Sequence, residues 1–254
     1  MTNDILPRLH RRIHHIVAAR FSPEGQYGLH LTAGVAMLLL ATAIFAHMAG
    51  AVVAGAPITQ LDVEVAQALH PHARANDGLR EFLMLVTHLH STPGILAMAL
   101  LAGIWLYRRG HRYWTLALVA SVPGGQILNV LLKHSFERAR PHFVEPLLEL
   151  STYSFPSGHA MGATVLYGFL ACYAARQARS WWGRVLPFVL ALVMVATVAF
   201  SRMYLGVHYL SDVLAAAAEG CGWLAICITG AATFNRRRRA RERLAGQPVE
   251  PQDI

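Results

Sequence analysis

The stretch SRMYLGVHYLSD, Ser201 to Asp212, joins two long apolar runs near the end of the 254-residue chain. If the helix begins at Val207, His208 and Asp212 share one face, and the carboxylate can accept a hydrogen bond from one ring nitrogen. The other nitrogen is then an unprotonated nucleophile, because histidine is largely neutral at physiological pH. Arg202 adds a planar donor that matches phosphate oxygens. The stretch predicts phosphoryl transfer to His208, although a capped helix start with a surface arginine has the same pattern.

Two upstream stretches carry residues suited to phosphate chemistry. In KHSFERARP, Lys133 and Arg140 stand seven residues apart before a proline. In FPSGHAMG, Ser157 is a suitable N-cap for an apolar helix, whose free first-turn amides would point toward an anion. His159 follows at once and is expected to protonate a leaving oxygen on the side of the phosphorus opposite His208, as in-line displacement requires.

The order of these three stretches resembles the signature of the type 2 phosphatidic acid phosphatase superfamily, which includes membrane lipid phosphatases, bacterial acid phosphatases and vanadium haloperoxidases. Every signature position is present, and the resemblance covers about the last half of the chain. It implies that His208 is the nucleophile, Asp212 its orienting partner and His159 the general acid. It also implies a phosphate-binding set made of Lys133, Arg140, Ser157, Gly158 and Arg202.

The composition predicts a membrane protein. The chain is 55% hydrophobic and only 14% charged, with a mean hydropathy of +0.39, whereas soluble domains carry about 25% charged residues. The formal charge of +8 does not indicate nucleic acid, since no basic module interleaved with aromatic residues is present. Cys172, Cys221 and Cys227 all fall in apolar stretches, which excludes a disulfide framework.

The hydrophobic pattern predicts an all-α, polytopic bundle of six transmembrane helices, with a short outer interfacial helix after the first span. Pro93 should kink or break the second span, and Gly124 with Gly125 should permit close helix contact in the third. Glu219, two turns below Asp212, is expected to have a hydrogen-bonded packing role. The predicted spans are 29–53, 82–107, 113–132, 159–175, 185–203 and 212–234. The predicted domains are a basic cytoplasmic arm (1–28), a six-span lipid phosphatase domain (29–234) and a basic cytoplasmic tail with a disordered end (235–254).

The distribution of basic residues predicts the orientation of the bundle. With six spans, sixteen of the 22 Lys and Arg residues fall on the side that carries both termini. By the positive-inside rule that side is cytoplasmic. All three motifs then emerge on the outer, periplasmic face of a bacterial cytoplasmic (inner) membrane.

These features predict an enzyme that hydrolyses the phosphomonoester or diphosphate of a lipid head group through a phosphohistidine, with no metal and no cofactor. Substrates of the undecaprenyl diphosphate, phosphatidylglycerol phosphate and phosphatidic acid types all satisfy the outer-leaflet requirement. A phosphotransferase using the same site stays open, as does a non-catalytic phosphate-binding membrane protein, although binding needs no pair of His159 and His208. Six spans disfavour a soluble peroxidase. The expected partners are lipid substrate and membrane lipids, and the sequence carries no signal for an oligomeric state.

Overall fold

The computed structural model describes residues 28–148 and 150–245, and the secondary structure within those ranges is entirely helical. The helices are α1 (Leu29–Val53), α2 (Pro57–Ala75), α3 (Asp77–Leu89), α4 (Thr92–Arg108), α5 (Arg112–Phe136), α6 (Gly158–Gln177), α7 (Trp181–Tyr204) and α8 (Leu210–Leu244). The predicted N-terminal arm lies outside the described residues except for Gly28, and so does the predicted disordered end from residue 246.

The all-α membrane bundle is confirmed, with several helices apolar enough to cross a bilayer. By length and hydropathy α1, α5, α7 and α8 are candidate spans, and α3 with α4 forms a fifth that is bent by 60°. The remaining predicted span, α6, does not meet these criteria among the described helices. Its residues 160–166 are all buried, and it packs against α4, α5, α7 and α8. A helix surrounded by protein needs less apolar sequence than one facing lipid, and the six-span count stays a prediction.

The predicted break in the second span lies at His90 and Ser91, between α3 and α4. Ser91 caps α4 by accepting a hydrogen bond from the Gly94 amide, and Pro93 occupies the first turn, where its missing N–H costs nothing. His90 Nδ1 donates to the carbonyl of Val86 at 2.7 Å, so its Nε2 accepts from the Tyr167 hydroxyl at 2.6 Å. This contact ties the bend to the central helix α6.

Helix α1 packs antiparallel to α8 along its length. His30 near the start of α1 lies 3.4 Å from Thr233, whereas Ala49 near its end clusters with Ala215 near the start of α8. The first residue of α1 and the last turns of α8 therefore lie at one end of the bundle, and the start of α8 lies at the other. The predicted grouping of both termini away from the motifs is consistent with this packing.

Helix α8 continues beyond the predicted end of the sixth span. The arginine run after Phe234 is helical to Leu244, so the helix extends beyond the predicted span of 212–234, and where that span ends stays a prediction. Arg238 stacks over the Tyr113 ring at 5.5 Å and pairs with Glu242 at 2.5 Å. Contacts of this kind stabilise a helix that has left the apolar region.

The predicted short helix after the first span is α2, and it packs beside the motif end of the bundle. Its His72 carbonyl accepts a hydrogen bond from the Tyr204 hydroxyl at 2.9 Å. His70 stacks on Phe143 with ring centroids 3.8 Å apart, and Arg74 forms an ion pair with Glu145. Helix α2 therefore holds the long connection between α5 and α6 against the ends of α7 and α8.

Candidate active site

Four helix termini and two connections bring the predicted residues to the same end of the bundle. Lys133 lies in the last turn of α5, and Arg202 lies in the last turn of α7. His159 begins α6, and Asp212 lies in the first turn of α8. Arg140 and His208 stand on the intervening connections. All eight predicted residues are thus supplied by elements that converge, although they are up to 79 positions apart in sequence.

His208 and Asp212 are paired, but not on one helical face. Helix α8 begins at Leu210 rather than Val207, and a tight turn at Gly206, with φ of 72°, separates it from α7. Asp212 Oδ2 accepts a hydrogen bond from the Tyr209 amide at 2.9 Å, as an acidic side chain does in a capping box. The same oxygen lies 3.2 Å from His208 Nδ1. The cap, not the helix period, brings the carboxylate to the ring.

Arg140 faces the other ring nitrogen of His208. Its Nη1 lies 3.2 Å from His208 Nε2 and donates to the Val207 carbonyl at 2.6 Å. A guanidinium can only donate, so Nε2 carries the lone pair and Nδ1 carries the proton that points to Asp212. Further donation to Thr152 and to the Tyr153 carbonyl fixes the guanidinium plane. Nε2, the predicted nucleophilic nitrogen, thus lies directly beside Arg140, a predicted phosphate-binding cation.

The surroundings of His208 favour its neutral form. Burial lowers the pKa of its imidazole, since the ring is almost completely shielded from water, and Arg202 and Arg140 act in the same direction. Asp212 opposes them, and the pKa lies at about 3. Protonation is therefore suppressed at neutral pH, and the lone pair on Nε2 stays available.

Lys133 contacts the loop that precedes α6. Its Nζ donates to the carbonyl of Tyr153 at 2.8 Å and approaches that of Ser154 at 3.4 Å. An ammonium has three protons, so one donor position is left beyond these two contacts. The connection from α5 to α6 is thereby held by both cations of its own motif, Lys133 and Arg140.

Ser157 is the N-cap residue of α6, as predicted, and its side chain makes no capping hydrogen bond. Its Oγ is buried and has no partner within the described residues, while its amide donates to the Asp212 carbonyl at 3.2 Å. A side chain added at Gly158 would come within 3.0 Å of Asn129 Oδ1, so the close packing favours glycine. His159 follows in the first turn, in the electrostatic field of Lys133, Arg202 and His208.

Arg202 is only 2% exposed although it carries a full charge. Its Nη1 donates to the Thr87 hydroxyl on α3, and its Nε has no partner within the described residues. A buried guanidinium with free donors is costly unless it meets an anion, and a phosphate provides one.

Several residues that support the site were not identified from the sequence. Arg138 lies two positions before Arg140 and pairs with Asp212, and Asp62 on α2 pairs with Arg138. Ser154 donates to Asp212, and Thr87 contacts Arg202. Arg138 stands inside the quoted stretch KHSFERARP, so its charge was a visible signal. Asp62 and Thr87 had none, because only the folded chain brings α2 and α3 to the motifs.

Glu219 has the hydrogen-bonded packing role that was predicted. Its Oε2 accepts from Asn129 Nδ2 at 2.9 Å, and the side chain is buried between α5 and α8. The Gly124–Gly125 pair also packs as predicted, since a side chain at Gly124 would come within 2.7 Å of Trp223. The three cysteines are unpaired, in agreement with the prediction.

The described residues contain no group of three or more His, Cys, Asp or Glu side chains that could hold a metal ion. The candidate site instead combines a neutral imidazole, its carboxylate partner, a second histidine and three cations. Such a set suits nucleophilic attack on a phosphate ester.

Comparisons with known proteins identify a family and several relatives. The PAP2 superfamily model matches residues 114–236. Phosphatidylglycerophosphatase B of Bacillus subtilis is 35% identical over 148 residues, covering 54% of this chain and 67% of the relative. Decaprenylphosphoryl-5-phosphoribose phosphatase of Mycobacterium tuberculosis is 34% identical over 155 residues, covering 59% of this chain and 77% of the relative.

A solved structure shares the fold. The transmembrane PAP2-type phosphatidylglycerolphosphate phosphatase from Bacillus subtilis superposes with a TM-score of 0.67 at 26% identity, over 80% of this chain and 96% of that one. The match extends well beyond the 114–236 region, so it includes helices that carry no motif. On these grounds the chain belongs to the PAP2 superfamily, the type 2 phosphatidic acid phosphatases.

Proposed function

We propose that this protein is an integral membrane phosphatase that removes phosphate from a lipid head group through a phosphohistidine at His208. The observation that carries the proposal is the arrangement around that ring. Its Nδ1 is held by Asp212 at 3.2 Å, and its Nε2 faces the guanidinium of Arg140, also at 3.2 Å. A nucleophile with a fixed tautomer next to a phosphate-binding cation suits phosphoryl transfer better than binding alone.

In the first step, His208 Nε2 attacks phosphorus, the N–P bond forms and the bond to the lipid oxygen breaks. His159 donates a proton to the departing oxygen, which leaves as an alcohol or, from a diphosphate, as a lipid phosphate. The bound phosphate offsets the positive charge of Lys133 and Arg202, and so favours the protonated form of His159 that this step needs. Asp212 stabilises the positive charge that develops on the His208 ring.

In the second step, water attacks the phosphohistidine. His159, now neutral, accepts a proton from the water as the new O–P bond forms and the N–P bond breaks. Inorganic phosphate leaves, and both histidines return to their starting protonation states. The negative charge on the transferring group is met throughout by Lys133, Arg140, Arg202 and the free amides at the start of α6, so the proposed reaction requires no metal.

The two relatives support a lipid-linked phosphomonoester as substrate. Both are named for phosphatases of lipid-linked phosphates, one with a phosphatidyl and one with a decaprenyl group. We rank phosphatidylglycerol phosphate and phosphatidic acid types close to a carrier lipid diphosphate. Lys133, Arg140 and Arg202 together carry enough positive charge for a phosphomonoester or a diphosphate.

The proposed location is a bacterial cytoplasmic membrane, with both termini inside and the site on the outer face. The observation that supports it is the excess of arginine at the end of the bundle opposite the site. The test uses single cysteines at Glu145 and at Arg109 in a background lacking Cys172, Cys221 and Cys227. An impermeant thiol reagent applied to intact cells should modify position 145 and spare position 109, and the reverse pattern would invert the orientation.

Activity is tested with the purified protein in detergent, by measuring phosphate release from phosphatidic acid, phosphatidylglycerol phosphate, undecaprenyl diphosphate and lysolipid phosphates. We expect release from at least one. Transfer of the phosphoryl group to an added lipid alcohol in preference to water would identify a phosphotransferase with the same site. No turnover with any of these substrates, together with retained phosphate binding, would leave a non-catalytic binding protein.

A further inference from the structure

A row of charged side chains extends behind His208 and continues to residues outside the predicted site set. Arg138 Nη1 donates to Asp212 Oδ1 at 2.6 Å, and its Nη2 donates to Asp62 Oδ2 at 2.7 Å. Both carboxylates are completely buried, and the arginine side chain is 13% exposed. A continuous line of hydrogen bonds thus runs from the His208 ring through Asp212 and Arg138 to Asp62 on helix α2.

Asp62 is itself held rigidly. The amide of Ser211 donates to its Oδ1 at 2.8 Å, and the Ser211 hydroxyl donates to its Oδ2 at 2.5 Å. Arg138 also donates to that hydroxyl at 2.7 Å and stacks on the Tyr209 ring at 4.3 Å. Asp62 and Arg138 therefore contact two of the three residues between His208 and Asp212 in the chain, namely Tyr209 and Ser211.

The charges in this line explain why two carboxylates are present. Arg138 occupies Asp212 Oδ1, and Oδ2 faces His208 while it also accepts from Ser154 and from the Tyr209 amide. Contacts at both oxygens fix the carboxylate plane. A guanidinium at 2.6 Å also withdraws negative charge from Asp212, and alone it would weaken the support that the imidazolium needs. Asp62 compensates that charge. The pKa of Arg138 is raised despite burial, because Asp212 and Asp62 outweigh the desolvation that would lower it.

We propose that Asp62 and Arg138 are positioning residues for His208, which orient Asp212 and keep one net negative charge behind the ring. The proposal rests on the proposed function and deepens it. The phosphate-binding cations are a different set, because Arg140 faces His208 Nε2 whereas Arg138 faces the carboxylate on the other side of the ring. Positioning residues of this kind should affect the chemical step and leave substrate binding nearly unchanged.

The test is Asp62→Asn, which keeps the size and one acceptor for the Ser211 amide but removes the charge. We expect kcat to fall about 10- to 100-fold and KM to change by less than about 3-fold, since outer partners that orient a reacting group typically have effects of this size. The matched control is Asp77→Asn at the start of α3. This carboxylate is 75% exposed, and among the described residues its ion pair is with Arg80. It should keep wild-type kinetics.

Two further variants separate positioning from folding. Ser211→Ala removes one hydroxyl from the line and should lower kcat less than Asp62→Asn does. In a double-mutant cycle, adding Asp62→Asn to Arg138→Gln should cost less than Asp62→Asn costs alone, because its partner is already absent. Thermal melting in detergent shows whether Asp62→Asn is folded. If it is not, Ser211→Ala and Arg138→Lys test the proposal by the same criterion, a lower kcat with nearly unchanged KM.

A folded Asp62→Asn enzyme with wild-type kcat would overturn the proposal, as would a loss expressed only in KM. Either result leaves the proposed phosphatase function intact if wild type is active. An inactive wild-type protein would instead contradict the proposed function, so the two failures are distinguishable.

Discussion

The two halves of the chain contribute to the candidate site in different ways. The half from α5 onward, which the family model matches, supplies every group expected to touch phosphate. The half before it supplies Asp62 on α2, Thr87 on α3 and His90 at the bend, each bonded to a residue of the other half. The reacting groups thus come from one region, and their orientation depends partly on the other.

The burial of the site residues explains why both halves are needed. Arg202, His208 and Asp212 are each at most 2% exposed, so their charges and hydrogen bonds need partners inside the protein. A short connection cannot satisfy them all from its own residues. Thr87 on α3 accepts from Arg202, and Asp62 on α2 accepts from Arg138, the partner of Asp212. We therefore expect substitutions on these helices to weaken catalysis in proportion to the contact that they remove.

The largest expected effect is that of His208→Asn in the motif half. The variant keeps a polar side chain but lacks the atom that bonds to phosphorus, so turnover should fall at least about 1,000-fold. Phosphate release and acid-quenched trapping of the phosphoenzyme measure the loss. His88→Asn is the control, because that ring is exposed on α3 and bonds only to the Met84 carbonyl among the described contacts. A trapped phosphoenzyme in His208→Asn would move the nucleophile to another residue.

The next largest effect should come from Asp212→Asn. An amide can still accept from the Tyr209 amide, but it no longer balances Arg138 or stabilises the charged ring, so we expect kcat to fall about 100- to 10,000-fold. Single-turnover measurements should show slower formation of the phosphoenzyme. A variant with nearly normal kcat would mean that the carboxylate serves only to cap α8.

A smaller effect is expected for Thr87→Val in the supporting half. Thr87 provides the hydroxyl that accepts from Arg202, and valine has nearly the same shape without it. Loss of a hydrogen bond to a charged donor costs about 1.5–3 kcal/mol, so we expect KM to rise about 10- to 150-fold. Thr87→Ser is the matched control and should restore wild-type KM. If kcat fell while KM stayed constant, Arg202 would act in the chemical step rather than in binding.

The sequence was sufficient to predict the helices and the motif residues, because hydrophobic runs and fixed spacings are local signals. Span 29–53 coincides with α1, and the break lies just before Pro93, a residue that is favoured in the first turn of a new helix. The sequence was not sufficient to predict the residues that contact Asp212. Asp62 and Arg138 are 76 positions apart and meet only because α2 packs against the start of α8. The start of α8 at Leu210 was also missed, because the turn at Gly206 and the cap formed by Asp212 place that start three residues after Val207.

The smallest expected effect is that of a chelator, which should leave activity unchanged. Metal-dependent phosphatases hold their ions with free carboxylates, whereas both carboxylates nearest His208 are occupied here by Arg138, Ser154 and Ser211. Lys133, Arg140 and Arg202 supply the positive charge that an ion would otherwise bring. The measurement is phosphate release after dialysis against EDTA, with a magnesium-dependent phosphatase treated in parallel. Loss of activity that one divalent ion restores would show that carboxylates such as Asp62 serve as ligands during turnover, and it would reverse the division of roles between the two halves.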